Sequence, residues 1–157
     1  MIQTPADILV VEDDRATLEL TLRALHRFNR SITTQVVSTG HEALDYLTRR
    51  GAYTGQGAPP RPRLILLDLQ LPHLNGLEIL QYLRDDALFP STPIVLFTSS
   101  ENPKDIRAAY ENGANAYVIK PDSAIEFAAT VGHIADYWLR ANKVPMTPVI
   151  ERSARTG

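Results

Sequence analysis

Short, uninterrupted apolar runs recur along this chain at Ile8 to Val11, Leu64 to Leu67, Ile94 to Phe97 and Ala116 to Ile119, with a weaker run at Gln35 to Val37. A strand with one wet face alternates apolar and polar residues, whereas a strand covered on both faces has no need to. The runs therefore read as strands of a parallel sheet with helices above and below it. Helical patterns fill the intervals: Leu18, Leu22 and Leu25; Ala43, Leu44 and Leu47; Ile79, Leu80 and Leu83; Ile106, Ala109 and Tyr110; then Phe127, Ala128, Val131, Ala135 and Trp138. Each set occupies one face at helical spacing. Five strands alternating with five helices call for right-handed crossovers, so the expected fold is α/β and doubly wound.

Local punctuation agrees. Thr39 with Glu42 and Ser123 with Glu126 have capping-box spacing, Asn102 before Pro103 reads as a cap followed by a first-turn proline, and Gly113 is placed to end a helix. Two stretches stand outside the pattern. Arg49 to Arg63, rich in Gly and Pro, reads as a surface excursion. From Asn142 onward, NKVPMTPVIERSARTG carries two prolines and no helical period, which separates a domain at residues 1–141 from an extended arm or tail at residues 142–157. That tail holds three basic residues and one acid, leaving thirteen basic and seventeen acidic residues before it. A net charge of -2 over the whole chain gives no basic field to attract nucleic acid or anionic membrane. The chain has no cysteine, hence no disulfide or thiolate chemistry, and no apolar run long enough to span a bilayer. The expectation is a cytoplasmic protein.

In a doubly wound sheet the site lies beyond the carboxyl ends of the strands. Here the first strand is followed by Glu12, Asp13 and Asp14, the third by Asp68, the fourth by Thr98, and the fifth by Lys120. Carboxylates crowded at one rim repel one another unless a cation neutralises them. A hard divalent ion such as Mg2+ takes oxygen ligands and commonly bridges carboxylates to phosphate. An aspartate at such a rim can act as a nucleophile toward phosphorus and form an acyl phosphate. Thr98 could donate to a phosphoryl oxygen, and Lys120 could pair with another.

The stretches VVEDD (Val10 to Asp14), LLDLQLPHLNG (Leu66 to Gly76), LFTSS (Leu96 to Ser100) and AYVIKP (Ala116 to Pro121), taken in this order, resemble the receiver domain of two-component response regulators over roughly residues 7 to 141. The resemblance implies a five-stranded, flavodoxin-like sheet of order 2-1-3-4-5. It implies Asp68 as acceptor of a phosphoryl group from a histidine kinase or phosphotransfer protein. Mg2+ would be held by Glu12, Asp13, Asp68 and the main-chain carbonyl of Gln70, with Asp13 the direct ligand and Glu12 acting through water. It further implies Thr98 as switch hydroxyl, Lys120 as phosphate contact, Tyr117 as aromatic switch, and a cis Lys120-Pro121 bond. The excursion before the third strand, the doubled serine after Thr98 and the ending IADYWLRANKVP are similar to single-domain regulators paired with phytochrome-type kinases.

Blander readings compete. Asp14 reads better as a helix cap than as a ligand, and Tyr117, on composition alone, as a packed aromatic. His26, His41, His73 and His133 have no metal-ligand spacing. An enzymatic alternative is a haloacid dehalogenase-like phosphatase with an aspartyl nucleophile, against which stands Gln70 where such enzymes carry a second acid. No DNA-binding unit fits in the tail, so output through protein contact or onward phosphotransfer is expected, without DNA or membrane. Tyr137, Trp138, Val144, Pro145, Met146 and Val149 suggest a homodimer made by the last helix and the arm.

Overall fold

The computed structural model describes residues 6–57, 60–85 and 89–145. Five parallel strands, β1 (Ile8–Val11), β2 (Thr34–Val37), β3 (Leu64–Leu67), β4 (Ile94–Thr98) and β5 (Ala116–Ile119), form one sheet in the order β2-β1-β3-β4-β5. The helices are α1 (Arg15–Phe28), α2 (Gly40–Thr48), α3 (Gly76–Asp85), α4 (Pro103–Glu111) and α5 (Ala124–Asp136), the last continuing into a π-helical turn at Tyr137–Ala141. The doubly wound architecture expected from the apolar runs and the strand order implied by the receiver resemblance are both observed.

Period-two alternation divides the core between the two faces of the sheet. Leu9, Val11, Ile65, Leu67, Ile94 and Leu96 pack with Leu47 of α2, Ile79 and Leu83 of α3 and Ala109 of α4. Ile8, Val10, Leu64, Leu66, Val95 and Phe97 pack with Leu25 of α1 and with Phe127, Val131 and Ala135 of α5. The three central strands are buried at every position, which is why their sequences do not alternate. β2 and β5 lie at the edges and are half-buried over most of their length, which accounts for the fainter pattern at Gln35 to Val37.

The predicted caps form. Thr17 donates its amide to Asp14, Glu42 to Thr39, Lys104 to Asn102 and Glu126 to Ser123. Gly113 has φ 97°, the left-handed conformation that closes α4. The excursion after α2 is anchored rather than loose: Gly51–Tyr53 form a 3-10 turn, and the Tyr53 ring meets Tyr46 edge-on at 5.2 Å. Arg63 at its end pairs with Asp7 and donates to the Leu139 carbonyl in the π-helical turn.

One expectation fails. No peptide bond among the described residues is cis, so Lys120-Pro121 is trans. The trans form is favoured at X-Pro bonds by about 0.5–1 kcal/mol unless tertiary contacts reverse it. Lys120 already reaches its carboxylate partners with the trans bond in place.

Candidate functional site

Three site residues lie one position beyond their strands, yet the ladder hydrogen bonds extend to them. The Glu12 amide donates to Val37 O at 3.1 Å, the Asp68 amide to Val11 O at 3.1 Å and the Lys120 amide to Thr98 O at 2.8 Å. Their Cα positions are thus as fixed as the sheet itself. In register, Val11 sits beside Leu67 and Thr98 beside Ile119, so Glu12 comes level with Asp68, and Thr98 precedes the level of Lys120 by one residue.

The turn after Asp68 is shaped by Gly76. A Cβ there would lie 2.4 Å from Asp68 O and 2.8 Å from Leu69 Cα, so only glycine lets α3 start against the backbone of Asp68 and Leu69. The Gly76 amide donates to Leu69 O, and the Gln70 amide donates to Asp68 Oδ1 at 3.1 Å. The backbone therefore curls around the Asp68 carboxylate, while the Gln70 side chain is exposed.

Glu12, Asp13 and Asp68 each present a carboxylate oxygen within 4.8 Å of the others. Glu12 and Asp68 are buried and Asp13 is exposed at the rim. Lys120 Nζ lies between the two buried acids, 3.0 Å from Glu12 Oε2 and 3.1 Å from Asp68 Oδ2, with the Phe97 ring 5.9 Å away. One ammonium cannot neutralise three carboxylates. The imbalance falls on Glu12, whose pKa is pushed up to about 7, first by burial and then by its hydrogen bond to Asp68 and that group's charge, with Lys120 opposing. A cluster of hard oxygen donors with surplus negative charge is the donor set that suits a divalent cation.

Asp14 stands apart from this cluster as the α1 cap, accepting from the Thr17 amide at 2.7 Å, and that bond lowers its pKa. Thr98, wholly buried, and Tyr117 fall on the α4 face of the sheet by alternation with Leu96, whereas Glu12 and Asp68 follow Val10 and Leu66 on the α1/α5 face. Thr98 Oγ1 accepts from the Ser100 amide at 3.4 Å, and Tyr117, already half-buried, donates its hydroxyl to Ser100 O at 2.8 Å. Ser100 and Asp105, joined by a 2.5 Å side-chain bond, are the residues the sequence reading missed here. Their only advance signal was the doubled serine ahead of a capped helix.

The chain belongs to the response regulator receiver domain family, whose sequence profile matches residues 8–131. Among individual relatives, the Probable methanogenesis regulatory protein FilR2 of Methanothrix harundinacea (strain 6Ac) is 36% identical, covering 91% of this chain and 90% of its own. Response regulator Rcp1 of Synechocystis sp. (strain ATCC 27184 / PCC 6803 / Kazusa) is 32% identical over 90% of this chain and 94% of its own. The crystal structure of the Mn(2+)-bound form of Rcp1 superposes with a TM-score of 0.81 at 32% identity, covering 90% of this chain and 99% of that one. The phosphorylated cyanobacterial phytochrome response regulator RcpA gives 0.82 at 31% identity and the same coverage. Family membership removes the haloacid dehalogenase-like alternative, since the receiver is a signalling fold and not a catalytic family. No described helix is long and apolar enough to cross a membrane.

Proposed function

We propose that Asp68 is the phosphoacceptor of a response regulator whose donor is a histidine kinase or phosphotransfer protein. The observation that carries this is the meeting of Asp68 with Glu12, Asp13 and Lys120 at the carboxyl ends of the strands. In the transfer, an Asp68 carboxylate oxygen forms the O–P bond as the N–P bond of a phosphohistidine breaks, and the departing imidazole nitrogen takes a proton from solvent. Lys120 exchanges part of its pairing with Asp68 for a phosphoryl oxygen, and Thr98 donates its hydroxyl to another. Glu12, Asp13, Asp68 and the Gln70 carbonyl would hold Mg2+, which supplies charge screening between the carboxylate and the incoming phosphoryl group. Any catalysis of its own is confined to phosphorylation from small donors and self-dephosphorylation.

The likeness to RcpA supports a phytochrome-type kinase as the cognate donor. The same reading assigns the action to the cytoplasm without a DNA or membrane partner, and takes residues 1–141 as the receiver and 142–157 as an arm, of which 146–157 lie outside the described residues. A homodimer through the last helix and the arm is supported by Tyr137, 53% exposed, and Val144, 44% exposed, on the described part of that extension. Met146 and Val149 lie outside the described residues.

Incubation with a small phosphodonor and Mg2+ is expected to add one phosphoryl group by intact mass, and Asp68→Asn to abolish it. An adduct that persists in Asp68→Asn removes Asp68 from the role.

A further inference from the structure

The connection between β4 and α4 contains a chain of hydrogen bonds that the carboxylate cluster does not use, and every link passes through Ser100. Its amide donates to Thr98 Oγ1 at 3.4 Å, its carbonyl accepts the Tyr117 hydroxyl at 2.8 Å, and its own hydroxyl donates to Asp105 Oδ2 at 2.5 Å. The same hydroxyl oxygen accepts the Asn102 amide at 3.3 Å.

In an ordinary capping box the third helical residue reaches back to the amide of the cap. Here Asn102 is the cap and Asp105 the third residue of α4, but Asp105 reaches the cap amide only through the Ser100 hydroxyl. A loop residue has been inserted into the helix terminus. The two ends of this chain differ in strength. The bond from the Ser100 amide to Thr98 is at the long limit of a hydrogen bond, whereas the bond to Asp105 is short and charge-assisted. A displacement of Thr98 toward Asp68 therefore gives up the weak link first and releases Ser100, still bonded to Asp105, to move together with the first turn of α4.

We infer that Ser100 is a positioning residue: its hydroxyl, bonded to Asp105, carries the rearrangement of Thr98 into the first turn of α4. The inference rests on Asp68 being the phosphoacceptor, as read above. Removing the hydroxyl does not uncap the helix, because Asn102 Oδ1 still accepts the Lys104 amide at 3.0 Å.

The test compares the full-length chain with Ser100→Ala, Ser100→Thr and Asp105→Asn, each treated with phosphoramidate and Mg2+. Intact mass gives the phosphoryl occupancy, and amide hydrogen exchange is followed over residues 100–111 of the same samples. Phosphorylation of the natural chain is expected to change exchange in the first turn of α4 by about fivefold or more. At equal occupancy, Ser100→Ala and Asp105→Asn lose that response and Ser100→Thr restores it. The coupling is overturned if Ser100→Ala responds like the natural chain, if Ser100→Thr fails to restore the response, or if the natural chain carries the adduct with α4 unchanged. Absence of any adduct on the natural chain overturns the phosphoacceptor reading together with this one.

Discussion

Glu12 shows how the site is set for a cation before one arrives. A carboxyl whose folded pKa is about 7 rather than 4.5 binds more protons folded than unfolded between those values. This group's contribution to stability is therefore fully present below pH 4.5, falls as pH rises, and is lost above pH 7. A bound divalent cation reverses the balance by favouring the ionised carboxylate. Thermal melts should accordingly show a larger rise in Tm with Mg2+ at pH 8 than at pH 5, and the metal-free slope with pH should flatten in Glu12→Gln. An equal or larger rise at pH 5 would contradict the assignment of surplus charge to Glu12. Lys120 has a different part. With both buried acids within 3.1 Å, it keeps Asp68 from being stranded among like charges.

Among the elements, the loop between β3 and α3 governs the aim of Asp68. The close approach of Gly76 to the Asp68 carbonyl leaves no room for a methyl group, and the atoms that would have to yield are backbone. Gly76→Ala is expected to destabilise the fold by about 1–3 kcal/mol and to slow phosphorylation, because relief must move residues 68 and 69. Gly132 in α5 is the control: its nearest contact would be Phe28 Cδ2 at 3.9 Å, and alanine there is neutral or stabilising. Urea midpoints for the two variants decide this, and equal midpoints would refute the steric argument. The central strands were legible as sequence because burial on both faces writes itself as an unbroken apolar run. The rim followed from knowing where those runs stop, which is why Glu12, Asp68, Thr98 and Lys120 could be chosen without coordinates. Other features leave no periodic trace. Arg84 reads as an ordinary polar position of α3, yet its guanidinium donates to Gly113 O, Phe89 O, Thr92 O and Asn115 Oδ1, with burial lowering its pKa. Gly113 and Asn115 lie 29 and 31 residues from Arg84, and Tyr117 lies 17 residues from Ser100, so only the folded chain brings these pairs together. The trans Lys120-Pro121 bond is likewise a matter of tertiary context that a dipeptide does not encode.

At the scale of the whole molecule, the two faces of the sheet divide the work. Glu12 and Asp68 belong to the α1/α5 side, while Thr98 and Tyr117 belong to the side that carries α4. On the proposed reading, a phosphoryl group on Asp68 would lie where both sides can respond to it, and a population shift on the α4 side would be its output. The excursion and the terminal extension are also linked, since Arg63 joins Asp7 at the start of the sheet to Leu139 in the π-helical turn. That bond holds the base from which residues 142–145 depart. Part of the expected dimer surface is already spent, because Trp138 packs on the chain's own second core. Tyr137 and Val144 remain available for the proposed two-fold contact. Light scattering should report a dimer for the full-length chain and a monomer for a chain ending at Asn142, whereas a monomer in both removes the arm from assembly.

The central claim is that one strand-terminal carboxylate becomes an acyl phosphate. Borohydride reduces such an anhydride to the alcohol, so treatment after phosphodonor and Mg2+ should convert residue 68 to homoserine, as read by peptide mass spectrometry. The account predicts homoserine at position 68 alone and none when Mg2+ is chelated. Homoserine at position 13, or an unmodified residue 68 in a chain that carries the phosphoryl mass, would contradict it.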